Sequence, residues 1–259
     1  MAYETILYVQ DGAIAKLSFN RPDKLNSMTA AMHAEIRDCL DKIDAAGTRV
    51  LILTGEGRAF CAGQDLADLD FSGDVDLSYT LESDFNPLVR RLTGASYPVI
   101  CALNGIAAGA GANIALACDI VLAAESASFL QAFARIGLMP DAGGTWSMTK
   151  LAGAARARGM ALLAEPITAG QAESWGMIWK IVADEALQDE AAKIAAQLAK
   201  GPTKAYLSAR EAITSAAVNT LDQQLDLESK LQGALAASDD FREGVNAFLE
   251  KRPAEFKGN

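Results

Sequence analysis

Three short segments hold the residues best suited to chemistry, and each joins a small-residue turn to a polar group. In Pro140-Asp141-Ala142-Gly143-Gly144-Thr145 a ring-constrained residue and two glycines bracket a single carboxylate, directly after the largely apolar Ile136-Gly137-Leu138-Met139. A carboxyl group desolvated there is pushed toward the pKa range useful to a general base. Asp141 also suits the N-cap of a following helix. In Asn104-Gly105-Ile106-Ala107-Ala108-Gly109-Ala110-Gly111-Ala112-Asn113 a strand runs into a helix whose first turn is glycine and alanine. Such a start presents unpaired N–H groups at the positive end of the helix dipole, a place for an oxyanion. Close packing of helix on sheet asks for the same small residues. The third segment, Gly57-Arg58-Ala59-Phe60-Cys61-Ala62-Gly63-Gln64-Asp65-Leu66, leaves an apolar run through a tight turn. Backbone donors exposed there would sit at the carboxyl edge of a sheet, where open α/β folds bind ligands. A plain turn with Asp65 as helix cap fits these residues too.

Other chemistries are poorly supplied. The second segment lacks the Lys and Ser/Thr of a phosphate loop and the spacing of a dinucleotide fingerprint. The one histidine, His33, falls in an amphipathic helix pattern and reads as a surface residue, so a triad or a multi-histidine metal site has little to draw on. Cys39, Cys61, Cys101 and Cys118 form no CxxC pair and lie among apolar residues, which suits buried, reduced thiols. A net charge of −10 opposes non-specific attraction to nucleic acid. No apolar run long enough to span a bilayer and no signal-peptide pattern is apparent, so a cytoplasmic protein with neither nucleic-acid nor membrane partners is expected.

The elements that must position these segments alternate. Thr5–Val9 and Ala13–Phe19, separated by Asp11-Gly12, predict a hairpin. A helix follows from about Thr29, with Met32, Ile36, Leu40 and Ile43 on one face and Gly47 at its end. The runs 49–55, 99–103 and 120–124 read as buried parallel strands with helices between them, an α/β pattern. After about residue 150 the strand signal almost vanishes. Helices predicted from near Asp184, after Pro202 and through Leu227, Leu231 and Leu235 make the last quarter a helical layer. With 51% hydrophobic residues in 259, the chain has ample material for one large core.

The three segments in this order, with Asn20-Arg21-Pro22 and Leu25-Asn26 before them and Phe248-Leu249-Glu250-Lys251-Arg252-Pro253 after, resemble the crotonase (enoyl-CoA hydratase/isomerase) superfamily over almost the whole chain. The resemblance implies an α/β crotonase-type spiral of ββα units holding the active site in residues 1–195, and a C-terminal helical trimerisation region in 196–259. It implies a coenzyme A thioester as substrate, with no further cofactor and no metal. The backbone N–H groups of Gln64 and Ala110 are implied as the oxyanion hole and Asp141 as the catalytic residue. Asp65, Leu66, Ala67, Gly109, Gly111, Asn113 and Phe133 are implied to line the substrate. Lys24, Leu25 and Ala62 are implied on one side of CoA, and Phe248 and Lys251 of a neighbouring subunit on the other, in a homotrimer or a hexamer made of two trimers.

Family hydratases carry two glutamates, and this sequence has Asn113 and Phe133 at those positions, so water activation by that pair is excluded. Some family isomerases and dehalogenases carry an aspartate where Asp141 stands. One carboxylate facing an acyl chain can take a proton from one carbon and return it to another, an allylic isomerisation. Phe85-Asn86-Pro87-Leu88, Trp175-Gly176-Met177-Ile178-Trp179 and Gln224-Leu225-Asp226-Leu227-Glu228 narrow the likeness to the family's isomerases of aromatic acyl-CoA epoxides. A general fatty enoyl-CoA isomerase would use the same aspartate. A dehalogenase-like route needs a second, water-activating base that His33 is badly placed to supply. A non-catalytic acyl-CoA or RNA binder of the same fold leaves the Asp141 carboxylate unexplained.

Overall fold

The computed structural model describes residues 3–69 and 76–259. Strands β1 (Ile6–Asp11) and β2 (Ile14–Phe19) form the expected antiparallel hairpin, turned at Gly12 with φ +54°. From β2 onward the sheet is parallel, through β3 (Val50–Gly55), β5 (Val99–Leu103), β7 (Ile120–Ala124) and β10 (Lys180–Val182), in the order β1-β2-β3-β5-β7-β10. Every residue of β3 and β5 is buried. That is why both read as unbroken apolar runs rather than alternating ones.

A few residues beyond β3, β5 and β7 the chain makes a short second strand: β4 (Ala59–Cys61), β6 (Ile106–Ala108) and β8 (Ser128–Leu130). With β9 (Ile167–Thr168) they build a smaller sheet, ordered β4-β6-β8-β9. A helical stretch follows each pair, so the repeating unit is ββα and successive units wind into the expected spiral. These short strands were not legible as strands. At two or three residues each they are too short to carry an alternation, and pairing with neighbours makes them. After residue 150, where the strand signal almost vanishes, only the short β9 and β10 remain. The latter pairs in register with Leu122–Ala124 at the edge of the main sheet.

Helix α1 (Ala30–Ala45) is capped by Thr29, whose hydroxyl accepts from Met32 N at 3.2 Å. His33, expected on the surface, is 2% exposed. It lies three residues before Ile36 and seven before Leu40, on the helix's buried stripe, and meets the Phe85 ring edge-on at 4.5 Å. Burial pushes its pKa down to about 4, so it is neutral at physiological pH. Helices α2 (Leu77–Thr80) and α3 (Asn86–Thr93) are joined by a wide π turn at Leu81–Phe85. Then come α4 (Ala110–Leu116), α5 (Gly144–Ala152), α6 (Ala154–Leu163) and α7 (Ala169–Ser174). Helix α8 (Leu187–Ala199) covers β3, β5 and β7 and spans residues 195 and 196. Helices α9 (Thr203–Ala216), α10 (Leu221–Ala236) and α11 (Asp239–Glu250) complete the helical end. All four cysteines are free and buried. Among the described residues no helix is long and apolar enough to cross a membrane, and no three metal-ligating side chains gather.

One fully buried side chain fastens the turn after β2 to the second sheet. Asn26, at φ +56°, accepts from Arg21 N at 2.8 Å and donates to Glu56 O at 2.9 Å and Ala59 O at 2.8 Å. Asn26→Ala would strand these buried partners, so a loss of about 2–4 kcal/mol in urea unfolding at unchanged slope is predicted. A loss below ~0.5 kcal/mol would show that the turn holds without it.

Candidate active site

The turn after β4 is laced to the segment after β2. Ala62 N donates to Leu25 O at 3.0 Å, Met28 N to Gly63 O at 2.7 Å, and Asp65 N to Met28 O at 2.8 Å. This pattern leaves out the N–H of Gln64, which faces the other way and has no partner among the described residues. The N–H of Ala110, first residue of α4, is likewise free, as helix geometry requires. Gly63, at φ +85°, brings the two together: a Cβ there would lie 3.0 Å from Ala108 O and 3.2 Å from Ala110 N. Two fixed, unpartnered donors side by side suit one oxygen that gains negative charge.

Across the same cavity stands Asp141. Its carbonyl accepts from Gly144 N at 2.7 Å and from Asn113 Nδ2 at 2.8 Å, while its carboxyl oxygen Oδ1 is buried without a partner. Burial pushes the carboxyl pKa up to about 6. The capping alternative is overturned, because Gly143 is the N-cap of α5 and no side chain caps that helix. The result is a carboxyl group able both to take and to give a proton near neutral pH.

The cavity between these groups has a volume of about 670 Å³. Leu77, Leu81, Phe85, Leu138 and Met139 supply apolar wall, which suits an acyl or aromatic group rather than a charged one. Of the expected site residues, Gln64, Leu66, Gly109, Ala110, Phe133 and Asp141 line it, as does Ala62. Phe133 lies over Gly109, where a Cβ would sit 3.7 Å from the ring. Of the residues expected along the substrate, Asp65, Ala67, Gly111 and Asn113 fall outside the lining. Asp65 pairs with Arg21 at 2.9 Å and caps the turn at Leu66–Asp68 by accepting from Ala67 N at 3.2 Å. Ala67 itself is exposed in that turn. Gly111 is buried against the Cys61 backbone with no room for a Cβ, and Asn113 is buried with its amide bonded on both sides. Both readings of the glycine-rich segment therefore hold at once, free donors at Ala110 and close packing at Gly111.

The exposed Lys24 and the half-buried Leu25 sit on the turn bonded to Ala62, at one rim of the cavity. Phe248 and Lys251 are elsewhere within the chain. Phe248 is 83% exposed and lines a separate apolar groove of about 400 Å³ with Phe241, Val245 and Phe256. Sequence reasoning missed Gln131, the buried partner of Asn113, whose only signal was a polar residue set between Leu130 and Phe133. It also missed the wall made by the Leu77–Phe85 segment, because a π turn has no composition of its own.

The enoyl-CoA hydratase/isomerase family profile matches residues 10–259. The chain belongs to that family. Among relatives, 1,2-epoxyphenylacetyl-CoA isomerase of Escherichia coli (strain K12) is 51% identical over 259 residues, covering 98% of this chain and 99% of its own. A probable enoyl-CoA hydratase of Rhodobacter capsulatus is 47% identical over 258 residues and all of both chains. Among solved structures, an enoyl-CoA hydratase subunit I of Geobacillus kaustophilus HTA426 superposes with a TM-score of 0.92 at 35% identity, over 100% of both chains. The crotonase resemblance read from the motifs is borne out, down to the likeness to an aryl-epoxide isomerase. This family member is an enzyme of the CoA-thioester hydratase/isomerase kind.

The raised carboxyl has a cost in stability. Its ordinary value is 3.8 and its folded value about 6, so the folded chain holds the proton more tightly than the unfolded one. Stability from this group is present below pH 4 and is lost as pH rises through 6. Because the group is only partly buried, the penalty is about 1–2 kcal/mol. Asp141→Asn is therefore predicted to be more stable than wild type at pH 7.5 by that amount, with the gap closing near pH 4 in urea unfolding. Equal stability at pH 7.5 would mean that the carboxyl is not desolvated.

Proposed function

We propose that this enzyme isomerises 1,2-epoxyphenylacetyl-CoA to its seven-membered oxepin thioester in phenylacetate breakdown. One observation carries the reading: a single desolvated carboxylate shares a cavity with two free N–H groups. The family resemblance, which puts Asn113 and Phe133 where hydratases carry glutamates, supports it. The thioester oxygen accepts from Gln64 N–H and Ala110 N–H. Ionised Asp141 removes a proton from the carbon beside the thioester carbonyl, and the negative charge develops on the oxygen those donors hold. Protonated Asp141 then gives the proton to a ring carbon conjugated with the enolate as the carbon–carbon bond of the epoxide opens. No atom is gained or lost. The same transfer shifts the double bond of 3,4-dehydroadipyl-CoA. CoA belongs to the substrate, and the proton transfers call on no other cofactor and no metal.

Several apolar side chains of the helical end, among them Ile213, Val218, Leu221, Phe241, Phe248 and Leu249, are more than half exposed in the single chain. A homotrimer, alone or paired as a hexamer, would cover such surface. In that assembly Phe248 and Lys251 reach the CoA held at a neighbour's Lys24, Leu25 and Ala62. Lys251→Glu should then weaken CoA binding about five- to tenfold in calorimetry, as for loss and reversal of one partly exposed charge contact. Unchanged affinity would place the nucleotide elsewhere.

Asp141→Asn keeps shape and removes the base, so turnover of the epoxide should fall about 10²- to 10⁴-fold while CoA ligands still bind. In wild type kcat/KM should drop tenfold per pH unit below about 6 and level off above it, since the ionised form is the active one. Crotonyl-CoA hydration should be slower than isomerisation by about 10² or more. Near-wild-type turnover in Asp141→Asn would remove the assignment. Faster turnover of a straight-chain 3-enoyl-CoA would move it to fatty acyl substrates.

A further inference from the structure

Asp141 hangs on a short chain of amides. Its carbonyl oxygen can only accept, so the Asn113 amide that meets it at 2.8 Å must present its NH₂. Asn113 Oδ1 is thereby turned toward Gln131, whose Nε2 donates to it at 2.8 Å. One acceptor thus fixes the orientation of both side chains, each 1% exposed. The loop they hold is strained. Ala142 adopts φ +44° and Gly143 φ +79°, and a non-glycine residue in that region persists only where its surroundings over-determine it. Asn113 packs so closely on Gly144 that a Cβ there has no space, and Gly144 N donates to the same Asp141 carbonyl at 2.7 Å. Neither amide lines the cavity.

We propose that Asn113 and Gln131 are positioning residues for the isomerisation, a donor relay that holds the Asp141 carboxyl at its dry place facing the oxygen site. This rests on Asp141 being the acid–base group. The relay gives a reason for the amide at 113 beyond the mere loss of a hydratase glutamate. An ionised carboxylate at that position has no hydrogen to donate and would push the Asp141 carbonyl away, so asparagine at 113 and a catalytic aspartate at 141 depend on one another.

The test uses the full-length enzyme and follows kcat, KM and the acid limb of the pH profile. Gln131→Met is close in size and removes the donor to Asn113 Oδ1. It should lower kcat about 10- to 100-fold through sub-ångström to ångström misplacement of the base, leave KM within about twofold, and move the acid limb below about 6 as the carboxyl meets water. Asn113→Asp removes the donor and adds a like charge, so its limb should move above about 6. In the Asp141→Asn background Gln131→Met should have no further effect on the residual rate, because it acts through that carboxyl. Wild-type kcat and limb in folded Gln131→Met would overturn the relay, as would a loss of the same size in the Asp141→Asn background. Should Asn113→Asp fail to fold, Gln131→Met decides alone. If Asp141→Asn itself turned over like wild type, the base assignment would fall instead, and the two failures are told apart by that variant.

Discussion

The turn after β4 and the start of α4 are arranged so that two neighbouring N–H groups, of Gln64 and Ala110, are left without partners among the described residues. A backbone donor with no acceptor in the protein forgoes a hydrogen bond that folding ordinarily makes, so a chain does not leave two of them together by default. Here the parallel bridge between Met28 and Gln64 uses the carbonyl of Gly63 and the N–H of Asp65, and leaves the N–H of Gln64 out. The start of α4 supplies the other donor because a helix cannot satisfy its first turn. Close approach of the two depends on Gly63 at positive φ and on glycine and alanine through 109–112. Asn26, far from any reacting atom, belongs to the same device, since it ties down the turn that holds Ala62.

The carboxyl across the cavity is maintained against its own preference as well. Asp141 Oδ1 has no hydrogen-bond partner, and the loop bearing it passes through a strained alanine. The surrounding structure supplies the compensation through the carbonyl of that residue, with Gly144 and Asn113 both donating to it. Backbone bonding fixes where the carboxyl sits, while the absence of side-chain bonding keeps its affinity for a proton high. Separating those two tasks leaves a carboxyl group that can both take and give a proton near neutral pH.

Legibility in the sequence followed the length and type of each element. The hairpin at Gly12, the buried runs at 50–55 and 99–103 and the helical end stood out because each carries a sustained pattern. The second sheet did not, since Ala59–Cys61 or Ile106–Ala108 become strands only by pairing with one another. The three chemistry-bearing segments stood out because turns of glycine and proline declare themselves, and the family resemblance then singled out Gln64, Ala110, Phe133 and Asp141, all of which line the cavity. Side-chain roles within the frame were harder to read. Asn113, expected beside the substrate, faces the Asp141 carbonyl, and His33, expected in solvent, is packed on Phe85. Both depend on which face of a helix meets a distant loop, which a single helical segment does not encode.

In the proposed reaction Asp141 moves a proton at the carbon beside a thioester whose oxygen the two free donors hold. Hydrogen–deuterium exchange at that carbon in phenylacetyl-CoA, followed by proton NMR in D₂O, tests this without any ring opening or product release. Wild type is expected to wash deuterium into the methylene group, and Asp141→Asn to slow the exchange about 10²-fold or more. Exchange of equal rate in the two proteins, or none in wild type that binds the thioester, would contradict it.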